Sequence, residues 1–254
     1  MSWPAELTPH LFVLACLVAM LAGVIKGLSG FAMPMVMISG LSLFLPPELA
    51  LAGLIPSTLV SNGLQAMRLG PKAAWTNLKR FRLYLAALLV MLVISAQLVS
   101  FLEPRWLFLM IGAPVVGFAL LMLSGWSPRL SEASKPPALL VGGFSGFVGG
   151  LSGVWGPPTV LYLTAIDLPK RDHVQVQGVI YGLGAVMLFF AHLTSGVLTL
   201  ATLSFGLALV LPAVLAMQIG QAVQDRIDQK TFRRVILFVL LVAGLNLVRR
   251  ALTG

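Results

Sequence analysis

The string Gly27-Leu28-Ser29-Gly30 recurs as Gly150-Leu151-Ser152-Gly153, both times inside apolar sequence. Each copy has a proline four residues later, Pro34 and Pro157, and a glycine shortly before, Gly23 and Gly146. Leu45-Pro46 likewise answers Leu168-Pro169, and all these pairs are 123 residues apart, about half of the 254-residue chain. Glycine and proline both interrupt helices, so each half carries a break where an apolar helix would otherwise run on. A half-length repeat of broken apolar helices is a transporter pattern, because the breaks bring bare backbone dipoles to membrane depth.

Composition agrees with a bilayer as solvent. Of the residues, 58% are hydrophobic and 10% charged, against roughly 25% charged in soluble domains. The single cysteine, Cys16, excludes an intrachain disulfide or a cysteine-based metal cluster. His10, His173 and His192 have no metal-ligand spacing, and no cofactor is expected. The formal charge of +9 does not point to nucleic acid, because the basic residues sit in short loops between apolar runs. The first apolar run follows Pro9 without a basic leader and belongs to the repeat, so it reads as a helix of the fold, not a signal peptide.

Runs 83–102 and 106–123 carry no charge and match the ~20 residues that cross a bilayer. Runs 48–67, 173–196, 199–223 and 231–248 are also long enough. Stretches 31–45 and 154–166 reach only about 20 Å, short of the ~30 Å hydrocarbon core. With the preceding runs 10–27 and 138–151 they predict two helical hairpins hinged at Gly-Leu-Ser-Gly, which either cross fully or turn back. The expected fold class is an all-α polytopic membrane protein of two inverted five-helix repeats with glycine-broken hairpins. The repeats are residues 1–127 and 138–254, helices 1–5 and 6–10, joined by a cytoplasmic linker over 128–137.

The inversion is read from charge. Loop 68–82 is basic, yet its repeat equivalent near 193–200 is uncharged; loop 224–234 is basic, yet its equivalent Glu103-Pro104-Arg105 is sparse. Equivalent loops thus favour opposite sides, as an axis in the membrane plane requires. With the basic loops and the linker in the cytoplasm, both termini fall on the outer side.

Several residues are candidates for binding. A helix starting after either hinge would direct free N–H groups between the hairpins, which suits an anion. Gly27, Gly30, Gly150 and Gly153, with Ser29 and Ser152, could instead pack helices closely. Lys26 is the one basic residue embedded among apolar neighbours. It either faces a substrate anion or snorkels to an interface. Asn62 lies in a polar strip with Ser57, Thr58, Ser61 and Gln65, and Gln177 and Tyr181 lie along a later helix. These either line a pathway or bond helix to helix. Trp155 is a gate, a stacking platform or a plain buried aromatic. His192 and Gln218 belong to a proton route or satisfy their neighbours.

At these motifs the chain resembles the sulfite exporter TauE/SafE family over about residues 14–247. Ile25-Lys26-Gly27-Leu28-Ser29-Gly30-Phe31 is similar to the family's Lys-Gly-x-x-Gly-Phe-Gly, followed by Leu45-Pro46-Pro47 and Ser61-Asn62. Gly150-Leu151-Ser152-Gly153-Val154-Trp155-Gly156-Pro157-Pro158 resembles Gly-x-x-Gly-x-x-Gly-Pro-Pro, followed by Leu161-Tyr162-Leu163. The close, from Phe232-Arg233-Arg234 to Gly244-Leu245-Asn246-Leu247, also resembles the family ending. Ala32 stands where the family often has a third glycine. The resemblance implies an inner-membrane permease for small anions such as sulfite, sulfonates and related organosulfur acids.

The expected function is a secondary transporter for a small anionic solute in a lipid bilayer, working by alternating access. Substrate-binding candidates are Lys26, Gly27, Ser29, Gly30, Asn62, Gly150, Ser152, Gly153, Trp155, Gln177 and Tyr181. The rivals are an anion channel on the same scaffold, an intramembrane enzyme and a non-transporting membrane subunit. An enzyme needs a nucleophile–base pair or paired carboxylates at depth, and only Asp167 comes near. No Gly-x-x-x-x-Gly-Lys-Ser/Thr loop occurs, so direct ATP coupling is not expected. Homo-oligomerisation, transport direction and the coupling ion stay open.

Overall fold

A computed structural model describes the chain except residues 1–3, 5, 6, 69, 99–102, 127–129, 133, 167, 169, 195, 225, 227 and 254. The expected boundary at 127/128 and the candidates Asp167 and Pro169 therefore lie outside the described residues. The described residues form eleven α-helices: α1 Pro9–Ser29, α2 Met33–Leu41, α3 Pro47–Met67, α4 Pro71–Arg80, α5 Arg82–Ala96, α6 Pro104–Leu123, α7 Lys135–Ser152, α8 Gly156–Ala165, α9 Lys170–Thr194, α10 Leu200–Gln224 and α11 Gln229–Thr253. Proline opens α1, α3, α4 and α6, where its missing N–H would have no intrahelical partner anyway. Each of the ten expected runs overlaps one of these helices. The eleventh helix, α4, folds from the basic stretch that charge alone marked as a loop.

Glycine ends the two helices that set the hinges. Gly30 takes φ 84° and returns its N–H to the Lys26 carbonyl; Gly153 takes φ 70° and returns its N–H to the Gly149 carbonyl. Both are left-handed conformations that glycine adopts without penalty. After each hinge the chain folds back. Gly40 of α2 comes up against the Val18 side chain of α1. Tyr84 bonds both Ser145 of α7 and Thr159 of α8, which holds the second pair together. Both expected hairpins thus form, each reversing at its glycine hinge.

Small residues let the long helices touch. A methyl on Gly27 would lie 2.8 Å from the Gly220 Cα and 2.7 Å from the Gln221 nitrogen, so α1 and α10 meet backbone to backbone. Gly146 and Gly150 of α7 meet Leu88 and Ala96 of α5 in the same way. Along each of these contacts the two chains run in the same direction. By contrast α3 and α9 run oppositely, Gly178 facing Ala66 and Gly182 facing Asn62. So do α6 and α11, Gly112 facing Val248 and Gly244 facing Val115. The main helix pairs are reciprocal when the halves are exchanged: α1 with α10 matches α7 with α5, and α2 with α11 matches α8 with α6. α4 alone has no counterpart.

The outside is apolar. Leu200 is 81% exposed and Leu140 73%, with Leu211, Leu252 and Phe238 close behind. Such a surface suits hydrocarbon, not water. By length and composition, three described stretches can cross a bilayer: α1, Gln175–Thr194 and Leu200–Val223, with mean hydropathies of 2.4, 1.7 and 2.2. Arg82–Ala96 and Phe108–Leu123 are shorter apolar helices.

Candidate functional site

The two hinges converge. Phe31 and Pro34 from the first hairpin and Gly153, Trp155 and Gly156 from the second line one small cleft, closed by Asn62 of α3 and Tyr181 of α9. The empty space there is about 190 Å³, including the part that opens to the outside.

Polar groups on the wall are tied into a chain. Lys26, 2% exposed in the last turn of α1, donates from Nζ to Asn62 Oδ1. Asn62 Nδ2 donates to the Tyr181 carbonyl at 3.2 Å, and the Tyr181 hydroxyl donates to the Gly156 carbonyl at 3.3 Å. This chain joins α1, α3, α9 and the start of α8. Lys26 makes no ion pair among the described residues. Its side chain is enclosed by protein. Its position in the last turn also sets the ammonium against the negative end of the α1 dipole.

The repeated glycines divide their work. Gly27 and Gly150, the first of each motif, are packing positions against α10 and α5 and do not line the cleft. Gly30 and Gly153, the last of each motif, are the hinges, and Gly153 lines the cleft. Ser29 is a local cap: its hydroxyl donates to the Ile25 carbonyl at 2.8 Å and accepts from Phe31 and Ala32 nitrogens. The Ser152 side chain lies outside the described residues. Free N–H groups are fewer at these helix starts than expected. Ser29 takes two at α2, and Pro34, Pro157 and Pro158 have none to offer.

Trp155, 2% exposed, lays its ring over Gly149 and Gly184, where any side chain would collide. Gly149 is the repeat equivalent of Lys26. The second half therefore fills with indole the place where the first half holds its cation. Gln177 is buried, and its Oε1 has no hydrogen-bond partner among the described residues; a Cβ on Gly30 would lie 3.2 Å from it. The buried hydroxyls of Ser57 and Thr58 are likewise without partners. Ser61 instead donates to Met33 Sδ and to the Thr58 carbonyl. His192 is buried and lies 3.2 Å from the Gly150 carbonyl, whereas Gln218 is exposed on α10, so the two do not form one route. Among the described residues no group of three His, Cys, Asp or Glu side chains could hold a metal ion.

A family model described as "Sulfite exporter TauE/SafE" matches residues 15–247, nearly the whole chain. The chain belongs to the sulfite exporter TauE/SafE family. No curated protein matches it. Family membership and the apolar helices together make this TauE/SafE chain a membrane protein of a transporter family. The sequence missed the Phe31 and Pro34 walls as site residues, because their place in the cleft depends on the hairpin folding back. It also missed the Tyr84–Ser145–Thr159 cluster, whose members are 61 and 75 residues from Tyr84. No local pattern announces a contact of that range.

Proposed function

We propose that this TauE/SafE protein is a secondary transporter that moves a small anion across the cell inner membrane by alternating access. Sulfite, a sulfonate or a related organosulfur acid is the substrate class. The observation that carries the reading is Lys26: a buried ammonium with no carboxylate partner among the described residues, hydrogen-bonded to the Asn62 that walls a cleft between two helix hinges. A charge at membrane depth costs at least ~2.5 kcal/mol, and a bound anion would offset that cost.

Two inverted repeats, residues 1–127 and 138–254, provide the scaffold in this reading. Opposite running of the equivalent helices α3 and α9, and of α6 and α11, supports inversion, since a parallel duplication would send each pair the same way. The basic residues of α4 and of the α10–α11 connection support a cytoplasmic placing of those segments and an outer placing of both termini. Rocking of one bundle against the other would open the cleft to each side in turn.

The test is flux in proteoliposomes together with thermal shift of the purified protein against sulfite, sulfate, sulfonates, thiosulfate and short carboxylates. Saturable flux with counterflow and an anion-dependent rise in melting temperature are expected. Lys26→Ala should lower flux by about tenfold or more, the loss of a charge-assisted hydrogen bond, while the protein still inserts. Non-saturating flux would make it a channel, and unchanged flux in the variant would remove Lys26 from the site.

A further inference from the structure

We infer that the site is charge-matched to a monoanion, so that the loaded site is neutral and the empty site carries one positive charge. The inference rests on the anion-transport reading above and specifies the substrate's charge. The walls of the cleft are Phe31, Pro34, Asn62, Gly153, Trp155, Gly156 and Tyr181, all uncharged types, and Lys26 stands behind them, bonded to Asn62. Among the described residues, the acidic Glu48 and Asp172 lie in the first turns of α3 and α9, and Glu103, Glu132 and Asp228 lie in connections. The other described basic residues fall in connections, in α4 or in the outer turns of helices. Backbone adds little net charge, because at each hinge the negative end of one helix meets the positive end of the next. Asn62 is a neutral amide and cannot neutralise an oxyanion.

A dianion would leave one negative charge unbalanced between uncharged walls, where it is costlier than on a surface. A monoanion leaves none. The membrane potential then acts on the return of the empty, positively charged site and not on the passage of the loaded one. Exchange of labelled for unlabelled substrate uses only the loaded passage. Net flux needs the empty return as well.

The purified full chain in proteoliposomes tests this, with the potential clamped by potassium and valinomycin and with methanesulfonate as the non-titrating monoanion. Methanesulfonate exchange should be unchanged by the clamp, whereas net flux should change several-fold with its sign. Sulfate should compete at least about tenfold more weakly than methanesulfonate. In Lys26→Gln the pattern should invert, with exchange becoming voltage-sensitive because the loaded site now carries the substrate's charge alone. Sulfate competing equally with methanesulfonate, or voltage-sensitive exchange in the unaltered protein, overturns the charge matching while leaving anion transport standing. Absence of flux for methanesulfonate, sulfite and sulfate alike overturns the anion reading itself, and this inference with it.

Discussion

At φ 84° and 70°, Gly30 and Gly153 hold conformations that cost any L-residue roughly 1–2 kcal/mol. Gly153→Ala should therefore destabilise by about that amount and impair transport, and its new methyl would also press on Leu54. Gly117 is the proper control, since a methyl there meets nothing within 4 Å; Gly117→Ala should be neutral or raise the melting temperature slightly. Gly244 would be a poor control, because a side chain there strikes Val115. A detergent-solubilised melting series checks all of these. A second residue-scale expectation concerns Asn62→Asp. A carboxylate there would pair permanently with Lys26, so the anion-induced thermal shift should vanish while the fold persists. Retention of that shift would separate Lys26 from ligand binding. The hinges were legible because the same motif with the same trailing proline appears twice. Which glycine packs and which bends was not legible, since spacing along one chain says nothing about the partner helix.

Among the elements, the helix crossings through Gly27 and Gly150 leave no room for a side chain. Gly27→Leu or Gly150→Leu should separate α1 from α10, or α7 from α5, and cost about 1–3 kcal/mol or abolish folding. Fluorescence-detected gel filtration would report this as lost monodisperse protein. The linker is tied at two points. Arg80 of α4 grips Glu132 with Nε and Nη2 at 2.6 and 2.7 Å, and the Leu130 N–H donates to the Ala165 carbonyl at the end of α8. The Arg80 hydrogen bonds hold the Glu132 carboxyl below its ordinary range. Stability from the pair is therefore present above the usual carboxylate range and is lost as pH falls through the lowered value. Both side chains are more than a third exposed, so the gain is under about 1 kcal/mol. Glu132→Gln should remove this acid-side component from a melting profile against pH. α4 itself escaped the sequence reading because its charges mark a side of the membrane, whereas its helicity comes from Pro71 at the start and from packing on α9.

For the molecule as a whole, the side assignment is open to direct measurement. With Cys16 replaced by serine, single cysteines introduced as Lys72→Cys and Lys230→Cys should both react with an impermeant maleimide from the cytoplasmic face. Reaction from opposite faces would undo the inverted arrangement. The broad architecture was legible because apolar length, loop charge and the repeat all bear on the same ten helices. The partnering of those helices was not, since an apolar face does not name what covers it. That partnering has a consequence for how such a protein is assembled. α5 and α10, which answer each other in the two halves, are each seated against the opening helix of the other half, and Tyr84 fastens α5 to α7 and α8. Neither half covers its own flank: severed from its mate, each would lay bare a glycine-grooved strip of backbone that only a matching helix could refill.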